Sequence, residues 1–97
     1  MKNKLLLLVA ILTLTTITVN AKSKVTCAGS TTVLPIAQAT AEAFMDAHPD
    51  INISIRGGGS GVGIAALINN SVDIALSSRP MKSKEISQAK AKGINPV

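Results

Sequence analysis

Three times along this chain a short apolar run gives way to a turn of glycine and hydroxyl residues, and each turn leads into a stretch with helical patterning. The turns are Gly29-Ser30-Thr31-Thr32, the glycine loop Gly57-Gly58-Gly59-Ser60-Gly61-Val62-Gly63, and Ser77-Ser78-Arg79-Pro80. Strand, turn and helix in strict alternation restrict the chain to an open α/β sheet of parallel strands, because right-handed crossovers are the connections that bring each strand back beside the last.

The first strand covers residues 25–28, and the spacing predicts a helix over 33–47 with Pro35 in its first turn, where a missing N–H costs nothing. Leu34, Ala37, Ala41, Phe44 and Met45 share one face, with Gln38, Glu42 and Asp46 on the other. His48-Pro49 ends the helix. Over 52–56, Ile53 and Ile55 alternate with polar neighbours as a strand requires. A short helix is expected over 64–69, then a third strand over 72–77 that is apolar on both faces and suits a buried parallel sheet. Ser83 is the expected N-cap of a polar helix reaching Lys92, Gly93 its C′ residue, and Ile94 the start of a fourth strand. The expected architecture is an open three-layer α/β sheet with βαβαβαβ order.

Composition narrows the functions such a sheet can carry. Residues 1–21 combine Lys2 and Lys4, an unbroken apolar run over 5–12, and Val19-Asn20-Ala21, the basic, apolar and small-residue regions of a secretory signal peptide cut after Ala21. A membrane span needs roughly 20 mainly apolar residues, and Thr13, Thr15, Thr16 and Thr18 interrupt this one. Residues 22–97 then form the mature unit, with eight basic and five acidic residues and a charge of only +3. One aromatic ring in the whole chain leaves no stacking platform for nucleic acid. One Cys and one His supply neither a disulfide framework nor a zinc cluster, and no cofactor is expected. Cys27, in a strand-like setting without a basic neighbour to lower its pKa, reads as a core thiol.

In an open parallel sheet, the strand-to-helix turns gather at the carboxyl ends of the strands, where ligands bind. Helix N-termini there offer unpaired N–H groups and a partial positive charge, which suit a small anion. The glycine loop fits neither named nucleotide motif: Ile64 stands where the dinucleotide fingerprint needs its last glycine, and Ile64-Ala65 follow where a P-loop needs Lys and Ser or Thr. What remains is a turn whose backbone can approach a ligand closely, with the Ser60 hydroxyl and the amides near Gly61 as donors. Any one such turn is an ordinary turn and cap; three converging turns point to a site. Arg79, closing a strand beside two serines, is either an anion contact or a tie between loops, since its fork matches a tetrahedral oxyanion. Asp73 falls at the opposite edge of the sheet, and Lys82, Lys84, Lys90 and Lys92 on an exposed helix face.

With these turns aligned, the chain from Val25 onward resembles the amino-terminal part of the periplasmic phosphate-binding proteins of ABC-type phosphate importers, which are type 2 periplasmic binding proteins. The resemblance rests on Ala28-Gly29-Ser30-Thr31-Thr32-Val33-Leu34-Pro35, on residues 57–63, and on Val72-Asp73-Ile74-Ala75-Leu76-Ser77-Ser78-Arg79-Pro80, in that order. It implies part of lobe I of a two-lobed protein that closes on inorganic phosphate and delivers it to a permease in the inner membrane. Carried over by position, Ser30, Thr31 and the Thr32 amide are the first phosphate contacts, Ser60 and Gly61 the second, and Ser78 with Arg79 the third. Many members place an Asp in the third turn to accept the proton of phosphate and reject sulfate; Ser78 stands there here. A hydroxyl can donate as well as accept, so sulfate or another tetrahedral oxyanion is the alternative ligand. A second lobe is the partner this reading requires, and a truncated lobe without binding of its own is the third reading. An esterase using Ser60 or Cys27 as nucleophile competes from another class, without a spare histidine or carboxylate cluster to activate either.

Overall fold

A computed structural model describes residues 23–97; the expected leader and its cleavage after Ala21 lie outside the described residues. The elements are β1 (Ser23–Gly29), α1 (Leu34–Ala47), β2 (Ile51–Arg56), α2 (Ser60–Ile68), β3 (Ile74–Leu76) and α3 (Ser83–Ala91). The strands form one parallel sheet in the order β2-β1-β3. In this register Val25 pairs with Ile53 and Cys27 with Ile55 on one side, while Cys27 pairs with Ile74 and Gly29 with Leu76 on the other.

Alternation along β1 separates two layers. Ala28 is fully buried and packs with Ala66 of α2 and Val72. The opposite face carries Ile53 and Ile55, which line a shallow hollow with Ala41 and Met45 of α1. Helix α1 therefore covers one side of the sheet and α2 the other, as right-handed crossovers to either side of β1 demand. Beyond α2 lies α3, where Ile64, Ile68 and Ala89 form a second apolar cluster joined by Met81 and Ile94.

One contact sets how closely α2 can sit. A Cβ on Gly63 would lie 2.3 Å from the Ala28 carbonyl oxygen and 2.5 Å from the Gly29 Cα. Only a glycine lets the helix backbone rest directly on β1 at that point.

Several expectations differ from the structure. Helix α2 begins at Ser60, four residues ahead of the expected start: the Gly63 N–H donates to the Gly59 carbonyl at 3.1 Å, so Gly61 and Gly63, expected in the turn, lie within the helix. Strand β3 is only three residues long. The Asp73 carboxylate takes the Thr26 backbone N–H at 2.8 Å and its hydroxyl at 3.1 Å, occupying a donor that would otherwise extend the ladder. Among the described residues β3 is also an edge strand, with Ile74 half-exposed rather than buried.

The N-cap of α3 is Lys82, in extended conformation, and Ser83 is already helical. The Lys82 N–H donates to the Glu85 carboxylate at 3.1 Å, so a side chain from within the first turn satisfies the N–H of the N-cap residue, and Ser83, already inside the helix, is not the cap. Ile94 does not open a fourth strand. Gly93 takes φ of +77° as C′ residue, and the N–H groups of Gly93 and Ile94 return to the carbonyls of Lys90 and Ala89. This closure folds Ile94 back onto Ile64 and Ile68, where burial of its side chain outweighs extension.

Helix α1 runs nearly as expected, with Pro35 at its start and Ala41 buried. Phe44, assigned to the apolar face, is instead 43 % exposed and lies against the His48 ring at 4.4 Å between centroids.

Candidate functional site

The turns after β1, β2 and β3 meet at the carboxyl ends of the strands. Backbone bonds make the first junctions: the Ser30 N–H donates to the Leu76 carbonyl at 2.9 Å, and the Gly59 N–H to the Gly29 carbonyl at 2.9 Å. Thr31 sits beside the glycine loop, since a Cβ on Gly57 would meet its Cγ2 at 3.4 Å.

Within the first turn the hydroxyls divide. Ser30 is 2 % exposed, and its Oγ accepts the Val33 N–H at 3.2 Å while its carbonyl accepts that of Leu34. Its hydroxyl shapes the turn rather than facing outward. Thr31 and Thr32 are exposed, immediately ahead of α1.

Ser60, the first residue of α2, reaches into the third turn. Its hydroxyl accepts the Ser78 backbone N–H at 3.0 Å and lies 3.2 Å from the Ser78 hydroxyl. The two hydroxyls thus stand side by side at the N-terminus of α2, where the free amides of its first turn also point. Ser77 serves its own turn: its hydroxyl donates to the Arg79 carbonyl at 2.6 Å and accepts the Arg79 N–H at 3.2 Å.

Arg79 lies over the same helix end, its Nη2 being 3.7 Å from where a Cβ on Gly61 would project. Its fork is engaged by Glu85, with Nη2 donating to Oε1 at 2.8 Å and Nη1 to Oε2 at 3.1 Å, and Nη1 also donates to the Pro80 carbonyl at 3.0 Å. The Arg79 bonds, reinforced by the Lys82 N–H, hold the Glu85 carboxyl at about 2, and the same pairing raises the guanidinium pKa. Arg79 is thus a loop tie, joining the third turn to α3.

Glu85 is the functional-site neighbour that sequence reasoning missed. It is the single acid in the basic stretch 79–92, and it stands three residues after Lys82, the spacing of an N-terminal cap. That spacing was the available signal.

Cys27 is free and buried, its thiol pushed up first by burial and then by the charge of Asp73, a setting that keeps it protonated. No group of three or more potential metal ligands occurs among the described residues. No helix among them is long and apolar enough to cross a membrane.

Residues 15–97 match the PBP superfamily domain. The chain belongs to the PBP superfamily. Protein SphX of Synechococcus elongatus is 40 % identical over 76 residues, which are 78 % of this chain and 23 % of that protein. Among solved structures, one described as a possible phosphate binding protein from Planctomyces limnophilus is 36 % identical, with a TM-score of 0.72 over 74 % of this chain and 25 % of that one. An ABC-type phosphate transport receptor from Vibrio cholerae is also 36 % identical, with a TM-score of 0.63 over 65 % of this chain and 25 % of that one. The chain spans about a quarter of the length of these relatives. The PBP superfamily assignment agrees with the parallel α/β sheet and with the cluster of strand-to-helix turns at one end of it.

Proposed function

We propose that this chain forms one wall of an extracytoplasmic solute-binding cleft that takes inorganic phosphate for ABC-type import. The observation that carries the reading is the junction of Ser60 and Ser78: two hydroxyls 3.2 Å apart at a helix N-terminus, held there by the Ser78 N–H. Hydroxyls and free amides at such a point bind an anion without a compensating countercharge. Thr31 and the Thr32 amide supply contacts from the first turn, Ser60 and the Gly61 amide from the second, and Ser78 from the third. Ser30 holds the first turn in shape, and Arg79 secures the third turn while adding a guanidinium to the rim.

The names of the relatives support phosphate as the ligand, and a receptor of this kind hands it to a membrane permease. A second lobe provides the other wall of the cleft, and export by residues 1–21 places the protein in the periplasm. Sulfate is the second reading, favoured by the Ser78 hydroxyl, which can donate to an oxyanion that carries no proton of its own. Ester hydrolysis finds less support: the polar partners of Ser60 are Ser78 atoms, and burial keeps the Cys27 thiol protonated.

Isothermal titration of the full chain with phosphate and with sulfate tests the proposal, after circular dichroism has established folding. Saturable phosphate binding that weakens in Ser60→Ala supports it; a folded chain that binds neither anion sinks it as a property of this lobe.

A further inference from the structure

Away from the strand-end turns, two open surfaces on opposite sides of the sheet complement each other. Helix α1 buries Ala41 and exposes its other face, where Ile36, Thr40, Ala43 and Ala47 recur at intervals of four, three and four, with Phe44 beside them. Ile36 is 71 % exposed and Phe44 43 %. Thr40 brings no free donor to this stripe, because its hydroxyl donates back to the Ile36 carbonyl at 2.8 Å. Glu42 and Asp46 border the stripe on one side, and α1 holds no basic residue. The face is apolar with an acidic edge.

On the far side of the sheet, α2 and α3 flank a groove of about 620 Å³. Gly61 and Ala65 of α2 and Ala91 of α3 are too small to fill it, and it opens above Ile64 and Ile68. Lys82, Lys84 and Lys92 stand at its rim, while its acid, Glu85, is engaged by Arg79 at 2.8 Å. The free charge of the rim is therefore positive.

We propose that this chain self-associates head to tail, the α1 stripe of one copy seating in the α2–α3 groove of the next. A groove with a basic rim and an apolar base takes an acidic segment with an apolar face, and among the described residues α1 is that segment. Ile36 to Phe44 spans eight residues, as does Gly61 to Asn69 along the groove, so each covers about 12 Å of helix. Glu42 and Asp46 then face Lys84 and Lys92. Since the two surfaces point away from each other across the sheet, a copy cannot satisfy its own, and the contact is heterologous, leaving a free surface at each end for a further copy. One helix face in one groove is a small interface, so association is weak and is screened by salt.

The test is sedimentation equilibrium of the full chain at low salt, from about 10 μM to about 1 mM, beside two charge-reversed variants, Glu42→Lys/Asp46→Lys and Lys84→Glu/Lys92→Glu. The parent associates, and each variant alone does so at least about tenfold more weakly, because like charges then meet at the contact. Mixing the two variants restores association, since each offers the surface that the other's reversed surface fits. Circular dichroism establishes that both are folded. Should either fail to fold, Ile36→Ala/Phe44→Ala decides: its association is weaker than the parent's by about tenfold if the stripe is the contact.

A parent that stays monomeric over this range overturns the inference and leaves the two faces to other occupants. Association that is indifferent to the charge reversals, or variants that do not associate when mixed, places the contact elsewhere and overturns it as well, as does an Ile36→Ala/Phe44→Ala chain that associates like the parent. Anion titration reads separately from all of these, so the oxyanion function proposed above stands or falls on its own.

Discussion

The hydroxyl of Ser60 accepts the backbone N–H of Ser78 at 3.0 Å, and this bond joins the turn after β2 to the turn after β3. The two residues are 18 positions apart in the chain, yet the bond makes their hydroxyls neighbours at one helix end.

Replacing Ser60 by Ala removes the acceptor of the Ser78 N–H and one of the two hydroxyls. At this exposed site the loss of stability is about 0.5–1.5 kcal/mol. Phosphate affinity drops in the same variant, while Ser60→Thr, which keeps the hydroxyl, retains most of both. Urea unfolding and calorimetric titration of the three proteins give the comparison.

Acid weakens the tie between Arg79 and Glu85. The folded-state value of Glu85, about 2, lies below the ordinary 4.5, so the contribution of its carboxylate is complete above about pH 4.5 and is lost as pH falls through about 2. In Glu85→Gln that pH-dependent portion is absent. The difference in urea midpoint between the parent and Glu85→Gln therefore narrows steadily as pH is lowered from 5 towards about 2. A difference that stays constant over this window contradicts the pairing.

Two glycines in one helix respond oppositely to the same substitution. Gly63→Ala places a methyl 2.3 Å from the Ala28 carbonyl, and since both sides are backbone, the structure can yield only by moving α2 off β1. Overpacking of this kind costs about 1–3 kcal/mol. Gly61→Ala meets only the end of the Arg79 side chain at an ordinary 3.7 Å, and it leaves stability equal or slightly raised because alanine favours the helix. Thermal unfolding of both variants separates the two outcomes.

The Cys27 thiol, buried in β1 and raised by burial, reacts with an aromatic disulfide reagent only as fast as the sheet opens. Modification is slow in native buffer and immediate in denaturant. Fast native labelling would place the thiol at an accessible position and contradict the packing of the sheet.

Much of the fold was legible because its signals are local. The first helix and second strand follow from apolar spacing, and Gly93 ends α3 in the positive-φ conformation that its residue type favours. Local rules failed where a distant residue competed for the same group. Ser83 carried the cap chemistry, but the Glu85 carboxylate, already oriented by Arg79, takes the N–H of Lys82, which is the N-cap residue. Ile94 had the composition of a strand, yet Ile64 and Ile68 offered it an apolar surface first.

For the candidate site, the sequence by itself determined that three hydroxyl-bearing turns would gather at one end of a parallel sheet, because strand and helix periods and turn chemistry act over a few residues. Only the tertiary structure decided which hydroxyls face outward and which charge remains. Ser30 turns inward to hold its own loop, Ser60 and Ser78 meet across two turns, and Glu85 cancels Arg79. Each of these outcomes depends on a distance between separate elements, and such a distance exists only once α2 and α3 have packed against the sheet and each other.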